Sequence, residues 1–382
     1  MKILYHHRIA SRDGQFIHVE AIVDALERRG HVPVLVGPSA VGKVEYGHTA
    51  GLIALLKRRM PRAIYEILEL AYGLYDYCHV ARVFKQVAPD ILYERYNLHT
   101  PACALLRRRH RLPFLLEVNA PLCAERQRYG GLAWPSLARW SERMIWRSAD
   151  AIVTVTGALA SEIAASGVSR DKIWVLPNAI DLAAFQNLPS LDVAKEQVGL
   201  AGKRVLGFVG FVRAWHGLDR VVAWLDQGPA DVVFLLVGDG PALRQLREEA
   251  HRRGVQDRFI VTGALPHEAV PKYVAAFDIA LQPTVVPYAS PLKMFEYMAI
   301  GRPIIAPDMA NIREILTHGH DGWLIDPDQL PHAIDLLLSD KSLCERLGAE
   351  ARRTIERLNL TWDNNAARIE QIVRCVLTSA SA

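Results

Sequence analysis

The sequence contains few cysteines and no long apolar run. Its five cysteines are odd in number, widely spaced and without the close pairs that ligate metal ions. They favour a reducing compartment over a disulfide-bonded secreted domain. A run of about 18 apolar residues, which a membrane-spanning helix requires, is also missing. The first residues read as a strand, so we expect no signal peptide before them.

Neither sign of charge dominates the composition. The 382 residues carry a formal net charge of +4, and 51% of them are hydrophobic while 23% are charged. This length and composition predict two globular domains, each with a core of its own. The slight positive charge fits an anionic small substrate or an anionic membrane surface, and we expect no nucleic-acid partner.

Both halves of the chain show the pattern of doubly wound α/β domains. In the first half, a strand at 2–5, a loop with Gly14, a helix at 17–29 and a strand at 31–36 predict a βαβ unit. Further strands in this half are predicted at 90–93, 113–118, 151–156 and 172–176. The second half predicts a separate series of strands at 205–209, 232–237, 259–262, 279–282, 304–306 and 323–325. Ligands of such sheets bind beyond the carboxyl ends of the strands.

Residues 290–307 carry the most chemical information. Ser290 is a plausible N-cap, Pro291 suits the first helical position, and Gly301 ends the predicted helix before a short strand. Free amide groups at the start of the helix, together with Lys293, favour an anion. Glu296, one turn further on, can accept hydrogen bonds from sugar hydroxyls. The segment therefore predicts a phosphate site beside a ribose site, although a capped helix with a solvated lysine would show the same pattern.

This segment resembles the nucleotide-binding motif of retaining GT-B glycosyltransferases, especially glycosyltransferase family 4. Glu296 matches the second of the family's two glutamates, which holds the ribose, whereas the first falls on Tyr288; the Ser-Pro-x-Lys variant is similar to that of bacterial surface-glycan enzymes. The resemblance implies two Rossmann-like domains facing across a cleft. We expect an acceptor domain at 1–178 plus 362–382, with Trp362 anchoring the last helix, and a nucleotide-sugar domain at 179–361.

The resemblance also implies the residues of the donor site. Where the family has an arginine and a lysine that neutralise the diphosphate, this chain has Phe211 and His216, and a protonated His216 with Arg213 and Lys293 is expected to replace that charge. Backbone at residues 264–265 is expected to read the nucleobase. The donor-binding set is Gly14, Gly210, Gly238, Ala264, Leu265, Ser290, Pro291, Leu292 and Glu296.

The acceptor site has fewer candidate residues. Asn119 stands where many family members have a histidine, and asparagine cannot act as a base, although it can hydrogen-bond a sugar hydroxyl. Glu117 and Glu94 are the nearby carboxylates that could take its place, and either could instead pair structurally with Arg95. His18 matches a family position near the helix start and could equally be an ordinary helix residue.

The resemblance implies a retaining glycosyltransferase that uses a nucleotide-diphosphate sugar and needs no cofactor, and we expect it to be independent of metal ions. Asp239 is expected to form a turn, because a single aspartate does not make a diacid metal site. The acceptor is expected to be a glycan, a glycolipid or a small molecule. The alternatives are a sugar-nucleotide 2-epimerase of the same fold and a non-catalytic glycan- or nucleotide-binding relative.

The expected location is the cytoplasm, with peripheral contact at the inner membrane face. Basic and aromatic residues at 57–75 could dock on anionic lipid, and the run at 107–111 is also basic. Solvated helix ends would explain the same charges.

Overall fold

The computed structural model describes residues 1–9, 14–38 and 60–381, with side chains as far as residue 378. The chain divides into two compact units, which we call unit 1 (Met1–Pro177 with Trp362–Ala382) and unit 2 (Asn178–Thr361). These limits lie within one residue of those expected from the sequence. The basic cluster at 57–59 lies outside the described residues.

Unit 1 contains a parallel sheet of six strands in the order β2-β1-β3-β4-β5-β6. The strands are β1 (Lys2–His6), β2 (Val32–Val36), β3 (Ile91–Arg95), β4 (Phe114–Val118), β5 (Ala151–Thr154) and β6 (Ile173–Val175). The described helices are α1 (Gly14–Arg28), α2 (Arg62–Val87), α3 (Ala102–His110), α4 (Leu122–Tyr129), α5 (Pro135–Ser148), α6 (Gly157–Ala165) and, at the end of the chain, α15 (Trp362–Ser381). Strands β3 and β4 are buried almost throughout, which explains their apolar residues at 91–93 and 114–116, and each also buries a glutamate, Glu94 and Glu117 respectively.

The last helix of the chain belongs to unit 1, where it packs on α1. Arg28 pairs with Asp363 at 2.8 Å and Arg29 pairs with Glu370 at 2.7 Å. Trp362 is buried, and its ring meets the ring of His18 edge to face at 4.9 Å between centroids. The tryptophan therefore anchors the start of α15 within unit 1, in the role that the sequence predicts.

Unit 2 contains a second parallel sheet of six strands, in the order β12-β11-β10-β7-β8-β9. The strands are β7 (Arg204–Val209), β8 (Val232–Val237), β9 (Phe259–Val261), β10 (Ile279–Leu281), β11 (Ile304–Pro307) and β12 (Trp323–Ile325). The helices are α7 (Leu191–Gln197), α8 (Leu218–Gln227), α9 (Leu243–Arg252), α10 (Val270–Val274), α11 (Leu292–Ile300), α12 (Ala310–Arg313), α13 (Leu330–Ser339) and α14 (Lys341–Leu358).

Side chains of β7 alternate between the two faces of the second sheet. Leu206 and Phe208 join the core on one face, whereas Val205 and Val209 join the core on the other. Because both faces are covered by helices, this strand reads as continuously apolar in the sequence. The predicted fold class, an α/β protein with two doubly wound sheets, is confirmed.

The order of strands marks where a ligand would bind in each sheet. In unit 2 the direction of winding reverses between β7 and β10, and in unit 1 it reverses between β1 and β3. A crevice forms beyond the carboxyl ends of the strands at such a point. In unit 2 that position is occupied by the loop after β7 and the segment that leads from β10 into α11.

Candidate functional site

Lys293, in the first turn of α11, provides a half-buried cation in unit 2. Its Nζ lies 3.7 Å from the centroid of the Phe208 ring, near the end of β7. Gly210 follows β7 with φ 122°, and a Cβ atom there would come within 3.3 Å of the lysine Cε. Burial lowers the pKa of Lys293 to about 7, against the opposing charge of Glu296. The glycine thus lets the ammonium group lie directly against the backbone after β7.

Glu296, on the same helix, provides a hydrogen-bond acceptor that has no partner among the described residues. The residue is 9% exposed, and its Oε2 atom is buried with no hydrogen-bond partner among the described residues. Burial raises the pKa of its carboxyl to about 7, although the charge of Lys293 acts in the opposite direction. Buried polar groups are normally paired, so this oxygen indicates a place for a donor from a ligand, such as a hydroxyl group.

The start of α11 differs from the prediction in one respect. Ser290 does not cap the helix, because its Oγ accepts the backbone N–H of Asn178 at 3.2 Å. Asn178 also donates from its side chain to the Ser290 carbonyl, at 2.6 Å. The N-cap is instead Pro291, the helix begins at Leu292, and no side chain caps it. The first-turn amides of α11 are therefore left for an anion.

The loop after β7 brings Arg213 and His216 to this region. The Arg213 guanidinium lies 4.9 Å from the ring centroids of both Phe211 and Trp215. His216 Nδ1 accepts the backbone N–H of Arg213 at 3.1 Å, and burial followed by the charges of Lys293 and Arg213 lowers the pKa of His216 to about 2. The structure thus presents His216 as a neutral ring, not as the expected cation. Its protonation beside a bound phosphate stays a prediction.

Two further loops of unit 2 carry the remaining donor-site residues. Gly238 follows β8 with φ 140°, and a Cβ atom there would lie 2.2 Å from the carbonyl oxygen of Gly210, so the two backbones touch. Gly238 also bridges to Gly263, after which Ala264 is exposed and Leu265 is partly buried. Asp239 accepts the N–H of Gly240 at 2.7 Å, which is the turn-forming bond that the sequence predicts.

Glu117, near the end of β4 in unit 1, is surrounded by donors. It is buried, and its carboxylate meets Tyr5 Oη (3.1 Å), Tyr93 Oη (2.9 Å), Arg95 Nη1 (2.5 Å), His18 Nε2 (3.1 Å) and Asn119 Nδ2. Burial raises the pKa of Glu117, but the charges of His18 and Arg95 and these hydrogen bonds hold that pKa well below its usual range. The structural pairing with Arg95 that the sequence left open is therefore present, and a role for this carboxylate as a base is disfavoured.

The same network draws three predicted residues of unit 1 into one pocket. His18, Glu117 and Asn119 line it together with Trp362. Gly14 stands at the start of α1, half-buried. The Asn119 amide nitrogen is held by Glu117, while its Oδ1 is buried without a hydrogen-bond partner among the described residues.

Several residues that shape these sites escape sequence reasoning. Tyr297 accepts the Val209 N–H at its Oη, at 2.9 Å, and so ties α11 to the end of β7. Asn311 donates from its side chain to the carbonyls of Val286 and Ala289 and so holds the loop before α11. A polar residue inside an apolar run was the available signal for Tyr297. Asn311 gives no such signal.

The two doubly wound sheets are those of the GT-B fold, and one of them places two basic side chains, an uncapped helix and an unpartnered carboxylate oxygen together. Models of two families match, "Glycosyl transferases group 1" at residues 192–354 and "Glycosyltransferase Family 4" at residues 12–184. Together they account for most of the chain, which belongs to glycosyltransferase family 4.

Curated relatives match parts of the chain. The 2-deoxystreptamine glucosyltransferase of Streptomyces kanamyceticus is 33% identical over 196 residues, which are 50% of this chain and 50% of that protein. Another similar protein, the GDP-mannose-dependent α-mannosyltransferase of Corynebacterium glutamicum, is 25% identical over 350 residues, 86% of this chain and 78% of that protein. The chain spans about half the length of the Streptomyces relatives that it matches.

Solved structures share the fold along the whole chain. The sucrose-phosphate synthase of Thermosynechococcus elongatus has a TM-score of 0.80 at 17% identity, covering 99% of this chain and 100% of that one. Anabaena HepE, solved in complex with UDP-glucose, has a TM-score of 0.76 at 18% identity, with coverage of 99% and 100%. At such identity the likeness supports the GT-B fold alone.

Proposed function

We propose that the protein is a retaining glycosyltransferase that transfers a sugar from a UDP- or GDP-type donor to a glycan, glycolipid or small-molecule acceptor. The observation that carries this proposal is the unpartnered Glu296 carboxylate one turn after Lys293 on the uncapped helix α11. A diphosphate at the helix start and a ribose with its hydroxyl groups at Glu296 are adjacent parts of one nucleoside diphosphate. Retention is supported by the family resemblance.

In this mechanism the charge that develops on the leaving diphosphate is stabilised by unit 2. The bond between the anomeric carbon and the phosphate oxygen breaks, and negative charge builds beside Lys293, Arg213 and the amides of α11. Neither Lys293 nor Arg213 has an ion-pair partner among the described residues, so their charges are available to the diphosphate. His216 accepts the Arg213 N–H at Nδ1, which leaves its Nε2 to donate an N–H.

The acceptor oxygen forms the new bond to the anomeric carbon, and its proton has to leave. Asn119 cannot accept it. Glu117 is engaged by five donor groups and has a pKa held well below its usual range. We therefore assign the proton to the departing phosphate oxygen, which keeps the transfer on one face of the sugar. Asp239 bonds within its own turn, and the proposed transfer needs no metal ion at the diphosphate.

The donor assignment is tested by thermal stabilisation with UDP, GDP, ADP and dTDP. A nucleotide at about 100 times its Kd adds about 2.7 kcal/mol to stability. We expect one base to stand out and the shift to vanish in Glu296→Ala, while Glu345→Ala, on an exposed ion pair of α14, keeps it. An absence of any nucleotide shift in the unsubstituted protein would contradict the donor site.

Turnover is tested by nucleotide release from UDP-glucose and GDP-mannose, with and without aminocyclitol, inositol and glycan acceptors. Lys293→Ala should lose about 2–4 kcal/mol of transition-state stabilisation, comparable to the loss of one oxyanion-hole donor. Lys341→Ala, an exposed lysine of α14, is the matched control. A normal rate in Lys293→Ala would remove this residue from the site. Conversion of the donor sugar without any acceptor would favour the 2-epimerase.

We also propose that unit 1 contacts an anionic membrane surface through α2. Five apolar side chains of this helix are 44–67% exposed, namely Ile64, Ile67, Leu68, Leu74 and Tyr75. A row of exposed apolar and aromatic side chains suits insertion at a lipid headgroup layer. None of the described helices is long and apolar enough to cross a bilayer.

The membrane proposal is tested by co-sedimentation with phosphatidylglycerol and with phosphatidylcholine vesicles. We expect binding to the anionic vesicles alone, and its loss in the double variant Leu74→Glu with Tyr75→Glu. Leu358→Glu, at an exposed apolar position of unit 2, is the control. Equal sedimentation of the double variant would place the membrane contact elsewhere.

A further inference from the structure

Three potential metal ligands meet at the winding reversal of unit 1. His6 is the last residue of β1, Glu94 lies on the neighbouring strand β3, and Cys103 is in the first turn of α3. All three are buried, and one ligand atom from each lies within 4.8 Å of the others. His6 Nδ1 is 3.1 Å from Glu94 Oε2, which also accepts the backbone N–H of Cys103 at 3.3 Å. The topology thus gathers a nitrogen, an oxygen and a sulfur in one place.

Asp76, on α2, fixes the orientation of the histidine ring. Its carboxylate lies 3.3 Å from His6 Nε2 through Oδ1 and 3.1 Å through Oδ2. A carboxylate that receives the second ring N–H of a metal-binding histidine sets the tautomer and directs the other nitrogen at the metal. Asp76 therefore leaves Nδ1 facing Glu94 and Cys103.

The cluster contains one ligand oxygen with no hydrogen-bond partner among the described residues. This atom is Glu94 Oε1, on a residue that is 1% exposed. A buried carboxylate without full pairing is costly, and such a group in a native protein requires an explanation. A cation bound at the cluster would explain the unpaired oxygen.

We propose that His6 Nδ1, the Glu94 carboxylate and Cys103 Sγ bind one divalent zinc-type ion, with Asp76 as the positioning residue for His6. Nitrogen, oxygen and thiolate ligands in a tetrahedral set are those that zinc prefers, and a water molecule completes the fourth position. The imidazole proton on Nδ1 and the thiol proton pass to solvent, so the ion replaces two protons. The site ties β1, β3 and α3 together and is independent of the proposed donor site.

The proposal is tested with Co²⁺ and Zn²⁺ added to chelator-treated protein. A cobalt–thiolate bond produces a charge-transfer band in the near ultraviolet, which reports ligation by sulfur. We expect one Co²⁺ per chain with this band, displaced by Zn²⁺. The band should vanish in Cys103→Ser and persist in Cys123→Ser, a matched variant of another buried cysteine of unit 1.

Asp76→Asn tests the positioning role without removing a ligand. Loss of such a partner weakens metal affinity by about 10–100-fold, with the charge-transfer band retained. Circular dichroism of each variant reports whether it is folded. If Cys103→Ser does not fold, Asp76→Asn provides the test. Absence of the band in the unsubstituted protein, or an equal band in Cys103→Ser, would overturn the site and leave His6 as an imidazolium between two carboxylates.

Discussion

Glu117 in unit 1 and Glu296 in unit 2 are both buried glutamates that the sequence marks as site residues, and their surroundings are opposite. Five side chains surround Glu117, and their charges and hydrogen bonds hold its pKa well below the usual range. Glu296 has an oxygen with no partner, and burial raises its pKa to about 7. A carboxylate whose hydrogen bonds are already made stabilises its unit, whereas one left unpaired is free to bind a ligand.

The contrast extends to the loops around each residue. In unit 1, the tyrosines and the arginine that hold Glu117 come from β1 and β3, so the network joins neighbouring strands. In unit 2, the loop before α11 is held by Asn178 and Asn311 while Glu296 itself is left out. Unit 2 therefore fixes the position of Glu296 without using its carboxylate, which is the arrangement expected of a preorganised binding group.

The largest expected effect is the loss of stability in Glu117→Gln. Removing one member of a buried charged network leaves Arg95 without its partner, and we expect a cost of about 3–5 kcal/mol in the free energy of unfolding. Urea unfolding measures it, with the exposed Glu27→Gln as control. A loss under about 1 kcal/mol would mean that Glu117 does not organise the end of this sheet.

Glu296→Gln should behave in the opposite way. Without a ligand and at pH 4.5, where the folded state keeps Glu296 protonated, the variant should unfold within about 1 kcal/mol of the unsubstituted protein, since no native hydrogen bond of Oε2 is broken. With saturating nucleotide, it should lose most of the roughly 2.7 kcal/mol of added stability. Thermal melts with and without UDP and GDP separate the stability of the free variant from the stability that the nucleotide adds. Equal destabilisation of the free variant and Glu117→Gln would abolish the contrast.

The pH dependence of stability should also separate the two residues. The pKa of Glu296 is 4.5 in the unfolded chain and about 7 in the folded one. Between these values the folded state keeps a proton that the unfolded state has released, so the contribution of Glu296 to stability falls as pH rises from 4.5 to 7. We expect a change on the order of 3 kcal/mol, because the pKa rises by about 2.5 at about 1.4 kcal/mol for each pKa unit.

The difference between unfolding curves of the unsubstituted protein and Glu296→Gln isolates this term. The subtraction is needed because Glu142, a buried acid of unit 1, has a pKa raised to about 7 by burial as well. A difference that is flat between pH 4.5 and 7 would show that Glu296 is ionised throughout.

The smallest expected effect is that of Tyr93→Phe. The tyrosine donates one of several hydrogen bonds to Glu117, at 2.9 Å, and removing a bond to a charged group should cost about 1.5 kcal/mol. Tyr75→Phe, on the exposed face of α2, is the control in the same urea titration. A cost as large as that of Glu117→Gln would mean that the network depends on this single donor.

Much of the fold follows from local sequence patterns. All six strands of each unit are found where apolar runs predict them, most clearly for central strands such as β7 and β8, which are covered on both faces. The end of α11 at Gly301, with φ 72°, is equally local, since a left-handed C-cap favours glycine. The N-cap prediction at Ser290 was wrong because the partner of its hydroxyl, Asn178, is 112 residues away.

The sequence by itself determined two α/β units, the helix that carries Lys293 and Glu296, and the candidate residues of the site. The tertiary structure decided what each residue can do. Glu117 is paired by side chains from distant segments, namely Tyr5, His18 and Tyr93, whereas no such side chain pairs with Glu296 Oε2. His6 lies near Cys103 only because of the order of the strands. Periodicity reports which face of an element is buried, whereas the pairing of a buried polar atom depends on side chains that only the folded chain brings within 3 to 4 Å.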